Sequence, residues 1–242
     1  MARKISIVIP TFEEGKLHET LNDLVQRQSI FMKHPVEDIE IMIIDYNPKD
    51  NRITFDSYQK FNSEYWVPGQ FRTVDQPGIA YARHHGIMVS NGEVIVNFDA
   101  DARLKENNAL ELLTNPILTD INIVLTCCDN VLNQVEFGQK DLKSRLIGTA
   151  AYEILNMIQR EAPMVCFEPG MCFSKYAYNY SQGFNDVKQA EALIFSPRMI
   201  YHFGLNSKRH IQEATVIVSP RRIKALEKYG LLHILNYENA FR

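Results

Sequence analysis

The sequence predicts an α/β fold in which a mostly parallel central sheet is flanked by helices. Three observations predict it. Short β-branched runs alternate with stretches whose apolar residues recur at helical spacing, turn residues separate these segments, and acidic side chains follow several strands. Strands that alternate with helices are joined by right-handed crossovers, which make neighbouring strands parallel. In such sheets, ligands bind beyond the carboxyl ends of the strands.

The first half of the chain carries this pattern most regularly. Strands are predicted at residues 5–9, 39–44, 71–74, 94–98 and 121–125. Helical spacing of apolar residues predicts helices over 17–25 and 79–90 and near 110–113. The polar residues at the predicted strand ends are Thr11, Asp45, Asp99 and Asp101. Their coincidence at one edge of the sheet is the first indication of function.

The second half is less regular. A long helix with one apolar face is predicted over 142–158, a bent strand over 164–173, a late strand over 215–218 and a terminal helix over 221–235. The alternation of Tyr176, Tyr178 and Tyr180 suits a half-exposed strand or loop. Because repeats, low-complexity tracts and linkers are absent from the sequence, we predict a single domain over 1–242.

Composition excludes several classes of function. The chain has 26 Lys and Arg against 29 Asp and Glu, a net charge of −3, so a nucleic-acid partner is not expected. No apolar run approaches the roughly 18 residues that span a bilayer. The four cysteines form no C-x-x-C pair, which predicts buried free thiols and a cytoplasmic, reducing location.

The sequence Asp99-Ala-Asp101 is the clearest candidate for chemistry. Two carboxylates one residue apart at a strand end can share a hard cation such as Mg²⁺ or Mn²⁺, together with substrate phosphates. The alternative interpretation is a solvated acidic turn. Phosphate-binding glycine loops, serine hydrolase elbows and zinc protease motifs are absent from the sequence.

The helix over 79–90 precedes this pair and carries Arg83. Ala82, Gly86 and Val89 present a small face that can lie close against the sheet. Arg83 lies outside that row, where it can point towards an anion at the strand ends, or alternatively lie on the surface.

These segments together resemble the family 2 glycosyltransferases, which have the GT-A fold. Four motifs match the family in order and spacing. Residues 5–14 resemble its opening strand, and residues 43–45 with Asp50 resemble its second strand. Residues 78–86 resemble its Arg-containing helix, and residues 91–101 resemble the strand that ends in its D-x-D motif. Weaker similarity continues at 170–175, 183–186 and 218–222. The chain departs from the family at Tyr46, His84 and Ala192, where the family has aspartate, asparagine and aspartate.

The resemblance implies that the two halves of the chain have different roles. Residues 1–115 would form a nucleotide-sugar half and 116–242 an acceptor half. Thr11, Glu13 and Asp45 would line the nucleoside pocket of a UDP- or GDP-sugar donor. Arg83 and Asp99 would contact the ribose-diphosphate region.

The resemblance also implies a metal and a base. Asp101 would be the direct ligand of Mn²⁺ or Mg²⁺, supported by Asp99, and His202 or His210 would supply a further ligand. Glu191 is the predicted general base for an inverting transfer to an acceptor hydroxyl, with Asp186 as its rival.

Two other functions stay open at this stage. A nucleotidyltransferase would use the same nucleotide, cation and carboxylates, and a sugar-nucleotide binder without catalysis would fit the loss of aspartate at Ala192. The acceptor (a glycan, lipid or protein) and the oligomeric state are not indicated. The basic helix over 221–235 suits either a solvated surface or peripheral contact with a membrane.

Overall fold

The computed structural model describes residues 4–33, 36–46, 52–135, 142–184 and 191–220. The strands in these ranges are β1 (Ile5–Thr11), β2 (Ile39–Tyr46), β3 (Gly69–Val74), β4 (Val94–Asn97), β5 (Arg103–Leu104), β6 (Leu125–Leu132), β7 (Met171–Ser174) and β8 (Lys208–Val218). The helices are α1 (Leu17–Arg27), α2 (Ile30–Lys33), α3 (Ile53–Glu64), α4 (Ile79–Val89), α5 (Ala109–Thr119), α6 (Leu142–Glu161), α7 (Lys175–Tyr180) and α8 (Glu191–Phe203).

The strands form one mixed sheet in the order β3-β2-β1-β4-β7-β6-β8-β5. The first four strands in this order are parallel to one another. Strand β7 runs antiparallel to β4 and β6, and β5 runs antiparallel to β8. Strands β6 and β8 are parallel to each other. The predicted α/β class with a mostly parallel sheet is therefore confirmed.

Strand β1 lies at the centre of the parallel part and is buried along its whole length. Its side chains alternate between two apolar clusters, Ile5, Ile7 and Ile9 on one face and Val8 on the other. Helices α1 and α5 cover the first face, and α4 and α8 cover the second. A strand covered on both faces must be apolar on both, which explains the continuous run of β-branched residues.

The register of β1 sets the geometry of the sheet's edge. Thr11 lies opposite Asp45 of β2, and Val8 lies opposite Asn97 of β4. The carboxyl ends of β1, β2 and β4 therefore reach the same edge, and the polar residues that follow them are neighbours.

Several local predictions need correction. Tyr176, Tyr178 and Tyr180 lie in α7, a helix, because Ser174 caps its first turn by accepting a hydrogen bond from the amide of Ala177. The strand predicted over 121–125 begins only at its last residue, and the late strand is much longer than predicted. The predicted terminal helix over 221–235 lies outside the described residues.

All four cysteines are free and buried, as the sequence predicts. Among the helices in the described ranges, none is both long enough and apolar enough to cross a membrane.

Candidate active site

Asp45 forms the first part of a polar site at the carboxyl edge of the sheet. It is only 1% exposed, and its Oδ1 accepts a hydrogen bond of 2.8 Å from the hydroxyl of Thr11. Burial raises the pKa of Asp45, hydrogen bonds from Thr11 and Thr54 oppose that rise, and the nearby charge of Glu13 adds to it. The hydrogen bonds from Thr11 and Thr54 hold this carboxyl group in a fixed position near the carboxyl end of β2.

The segment after β1 turns sharply around this carboxylate. Glu13 adopts a left-handed backbone conformation with φ of 48°. The amide of Glu14 donates a hydrogen bond of 3.0 Å to the hydroxyl of Thr54, which ties the turn to α3. The rings of Phe12 and Tyr46 stack beside it with centroids 5.6 Å apart. An aromatic pair thus lies next to the buried acid, on the residues that follow β1 and end β2.

Arg83 forms the second part of the site. It is 1% exposed, and its guanidinium pairs with the carboxylates of both Asp99 and Glu168. The interpretation of Arg83 as a surface residue is therefore wrong. A planar guanidinium with donors on both sides suits this bridging, because it can hold two carboxylates at once.

Glu168 is a site residue that the sequence analysis missed. Besides Arg83, it accepts a hydrogen bond of 2.8 Å from the side-chain amide of Asn97, the last residue of β4. Gly170 follows with φ of 89°, and a Cβ at this position would lie 2.6 Å from Val216 and 2.8 Å from the sulfur of Cys128. In the sequence, Glu168-Pro169-Gly170 lies within the bent strand predicted over 164–173, whereas β7 begins only at Met171.

The Asp99-Ala100-Asp101 turn is anchored from two sides. The backbone carbonyl of Ala100 accepts a hydrogen bond of 2.7 Å from the hydroxyl of Thr20 on α1. The amide of Ala102 donates to the carbonyl of Asp99 at 3.1 Å. Asp99 is buried against Arg83, whereas Asp101 is partly exposed. The two carboxylates therefore have different environments at the same edge.

The donor set fits a divalent cation that takes only part of its ligands from protein. Asp99 and Asp101 offer hard oxygen atoms, the type that Mg²⁺ and Mn²⁺ prefer. Within the ranges the structure describes, no group of three or more His, Cys, Asp or Glu residues is arranged to hold a metal ion. Ligands from substrate phosphates and water would complete such a site.

The structure does not bring His202 or His210 to Asp101. His202, near the end of α8, packs against the rings of Tyr180 and Tyr201. The next residue, Phe203, lines a cavity together with Val94, at the amino end of β4 and away from its carboxyl edge. His210 lies 3.1 Å from Asp129 of β6. Neither histidine is retained in the metal site that we propose.

The side chains of the two candidate bases, Asp186 and Glu191, are not described. Asp186 lies outside the described residues, and Glu191 is the first residue of α8, whose side chain is likewise not described. The last residue of α8, Phe203, lines a cavity together with Val94 at the amino end of β4.

His84, which replaces the asparagine of the family motif, faces away from this edge. Its Nδ1 lies 2.8 Å from the hydroxyl of Tyr178, and both residues line a cavity of about 260 Å³. Burial lowers the pKa of His84, and the adjacent His85 adds to this. The departure at this position thus links α4 to α7, and His84 does not join the acidic edge.

Three of the many solved structures that share this fold illustrate the similarity. The mannosyltransferase PcManGT from Pyrobaculum calidifontis, in complex with GDP-Man and Mn²⁺, has 19% identity and a TM-score of 0.60, covering 88% of this chain and 55% of its own. S. aureus TarS 1–349 with UDP-GlcNAc has 14% identity and a TM-score of 0.60, covering 89% and 58%. Glucosyl-3-phosphoglycerate synthase from Mycobacterium tuberculosis, with Mn²⁺, UDP and glucosyl-3-phosphoglycerate, has 15% identity and a TM-score of 0.61, covering 97% and 79%.

The fold is thus that of the GT-A glycosyltransferases, with acidic residues at the carboxyl edge of its parallel strands. A family profile is more specific than these structures: that of glycosyl transferase family 2 matches residues 6–180. The chain belongs to this family. It spans little more than half the length of the PcManGT and TarS chains. No curated protein sequence matches it significantly.

Proposed function

We propose that this protein is a glycosyltransferase that moves a sugar from a UDP- or GDP-sugar to an acceptor hydroxyl group. The observation that carries the proposal is the meeting of Asp45 and Thr11 with the cluster of Arg83, Asp99 and Glu168 at one sheet edge. Family membership and relatives with bound GDP-Man, UDP-GlcNAc or UDP support the same donor class.

Asp45 serves the nucleoside in this proposal. An ionised carboxylate accepts hydrogen bonds only, so it selects a donor group such as a base N–H or a ribose hydroxyl. Thr11 fixes the carboxylate before the ligand arrives, so little side-chain entropy is lost on binding. Glu13 would line the same nucleoside pocket from the adjacent turn. The exposed ring of Phe12 would be available to stack on the nucleoside.

Asp101 and Asp99 serve the diphosphate through a divalent cation. When bound, Mn²⁺ or Mg²⁺ supplies Lewis-acid stabilisation of the charge that gathers on the leaving nucleoside diphosphate. Asp101 would be the direct ligand. Arg83 is buried between two carboxylates, so we assign it the role of a positioning residue that fixes Asp99, which revises its predicted contact with phosphate.

The acceptor hydroxyl requires a base on the opposite face of the sugar, and Glu191 is our candidate. It would take the acceptor proton as the new bond forms at the anomeric carbon, which inverts that centre. Glu191→Gln should leave donor affinity unchanged and slow transfer by about 10²-fold or more. If Asp186→Asn has this effect and Glu191→Gln does not, the role belongs to Asp186.

The metal assignment is tested by the thermal stability of the protein with UDP- and GDP-sugars, with Mn²⁺ or with chelator. A true donor at 100 times its dissociation constant adds about 2.7 kcal/mol to the free energy of unfolding. We expect this gain to require Mn²⁺ and to disappear in Asp101→Asn. Asp56→Asn, an exposed acid on α3, is the matched control and should behave as the native protein. Equal stabilisation with Mn²⁺ and chelator contradicts the metal site.

The products separate this proposal from its alternatives. A glycosyltransferase releases a nucleoside diphosphate and forms a glycoside, whereas a nucleotidyltransferase forms a sugar nucleotide and releases pyrophosphate. A donor that stabilises the protein but is never consumed, across glycan, lipid and protein acceptors, would favour a non-catalytic binder. The loss of aspartate at Ala192 is the feature that favours that last function.

A further inference from the structure

Tyr46 is the last residue of β2 and lies at the carboxyl edge of the sheet, directly after the buried Asp45. In the parallel pairing of β1 with β2, Thr11 lies opposite Asp45, so the residues that follow, Phe12 and Tyr46, are neighbours. Their rings stack with centroids 5.6 Å apart and an angle of 26° between the ring planes. The family has aspartate at the position of Tyr46, so a ring replaces a carboxylate here.

The ring of Tyr46 is held by the sheet and by α4. Tyr46 is half-buried and packs against the apolar cluster of Ile44, Val74 and Ala82. Val74 lies opposite Tyr46 in the pairing of β2 with β3, and Ala82 belongs to α4. Contacts from its own strand, a neighbouring strand and a helix restrict the rotamers of Tyr46, because protein interiors are closely packed.

Phe12, in contrast, combines a supported ring with an open surface. It is 53% exposed, although the ring of Tyr46 lies against it. The turn that follows Phe12 is tied to α3, since the amide of Glu14 donates a hydrogen bond of 3.0 Å to the hydroxyl of Thr54. The backbone around Phe12 is therefore anchored, and the stacking contact with Tyr46 fixes the plane of its ring.

We propose that Tyr46 is a positioning residue for the nucleobase of the donor, because it holds Phe12 in the orientation in which a base stacks on it. This role rests on the proposed function, in which Phe12 and Asp45 serve the nucleoside. An exposed ring without support loses rotamer freedom when a base stacks on it, and that loss of entropy opposes binding. Tyr46 lowers this cost, since it orders the ring of Phe12 in the free protein.

A ring in place of a carboxylate also changes how the base is recognised at this position. A carboxylate accepts hydrogen bonds from particular N–H groups, whereas stacking uses the π face that every base has. Uracil and guanine should therefore both gain affinity from Tyr46. Inorganic pyrophosphate, which carries no base, should gain none.

Calorimetric titration with UDP, GDP and inorganic pyrophosphate, each in the presence of Mn²⁺, tests this role. Tyr46→Ala should lower the affinity for the nucleotides that the native protein binds by about fivefold, the scale of one aromatic pair, and leave the affinity for pyrophosphate unchanged. Tyr46→Phe keeps the ring and should bind like the native protein. Tyr65→Ala is the matched control, because half-buried Tyr65 stacks on Phe61 with centroids 5.3 Å apart before β3 begins, and it should change neither affinity.

A double-mutant cycle shows whether Tyr46 acts through Phe12. Phe12→Ala removes the stacking ring and should lower nucleotide affinity by about tenfold. If Tyr46 acts by holding that ring, the addition of Tyr46→Ala to Phe12→Ala should cause no further loss. Should Tyr46→Ala fold poorly, Tyr46→Leu removes the flat ring and keeps an apolar side chain against Val74 and Ala82.

Three outcomes with a native protein that binds UDP or GDP would overturn this role alone. They are an unchanged nucleotide affinity in Tyr46→Ala, an equal loss of pyrophosphate affinity, and a loss that adds in full to that of Phe12→Ala. Failure of the native protein to bind either nucleotide would instead refute the proposed donor class, and the role of Tyr46 with it.

Discussion

At the scale of single residues, Asp45 combines a cost in stability with the role that we propose for it in nucleoside binding. Burial disfavours its charged form and raises its pKa, although hydrogen bonds from Thr11 and Thr54 stabilise that form. Because the folded-state pKa lies above the unfolded one, the protonated carboxyl group is favoured in the folded chain. Its contribution to the free energy of unfolding is present below the unfolded pKa and is lost as pH rises through the folded pKa.

Asp45→Asn should therefore keep or raise the melting temperature at neutral pH while weakening donor binding. The amide keeps the shape of the side chain but removes the buried charge and one acceptor oxygen. We expect donor affinity to fall about tenfold or more, the scale of one hydrogen bond to a charged group. Calorimetric titration and thermal unfolding measure the two effects. In the native protein, donor affinity should also fall as the pH is lowered through the raised pKa, and a pH-independent affinity would contradict the role.

A second prediction follows from the number of charges in the cluster around Arg83. Arg83 faces the two carboxylates of Asp99 and Glu168. Arg83→Gln leaves both acids without their cation and should cost about 3–5 kcal/mol in the free energy of unfolding. Glu168→Gln leaves one balanced pair and should cost only about 1 kcal/mol. Urea unfolding measures both, with exposed Arg52→Gln as the control. Equal costs for the two cluster variants would show that Arg83 does not organise the cluster.

The sequence predicted part of this site for a physical reason. Asp45 and Asp99 follow strands whose composition is unambiguous, so their position at the sheet edge follows from local pattern alone. Glu168 lies 85 residues from Arg83 along the chain, and no local pattern reports such a contact. The position of His202 likewise depends on the packing of α8, where its ring lies against that of Tyr180.

At the scale of elements, α4 and α6 show how much of a helix's packing can be predicted from the spacing of residues in its sequence. The small residues of α4 predicted a helix lying close against the sheet, and a Cβ on Gly86 would indeed lie 2.6 Å from Val8 and 2.8 Å from Ile44. For α6 the spacing predicted the helix and its apolar face, but that face points outward. The direction depends on β6, where the side chain of Asn156 binds the backbone of Asn130, and the helix's own sequence does not encode that contact.

Gly86→Ala should destabilise the protein by about 1–2 kcal/mol. Alanine favours the helix by up to about 1 kcal/mol, but its methyl group meets branched side chains on β1 and β2 that are already buried. Helix α4 must then move from the sheet and carry Arg83 with it, so donor affinity should fall as well. Gly15→Ala is the control, because its nearest neighbour lies at 3.5 Å, an ordinary contact. Urea unfolding of both variants provides the measurement, and an unchanged or higher stability of Gly86→Ala would contradict the close packing.

At the scale of the whole molecule, one continuous sheet runs through both the predicted nucleotide half and the predicted acceptor half. Strand β7, from the second half, lies beside β4 of the first. Glu168 of the second half closes the cluster of Arg83 and Asp99 in the first. The candidate site is therefore shared between the halves, and its geometry depends on both being folded.

We accordingly predict that the two halves unfold together, as one domain. All four cysteines lie in the second half and are buried, so their labelling in urea reports on the unfolding of that half. Hydrogen exchange of peptides from β1 and β2 reports on the first half. The two probes should give the same midpoint, because Glu168 and β7 of the second half pair with Arg83 and β4 of the first, and unfolding either half breaks both contacts. A saturating donor should raise both midpoints equally, since it binds only the assembled site. Cysteine labelling at a clearly lower urea concentration than exchange in β1 would mean that the halves are separate cooperative units.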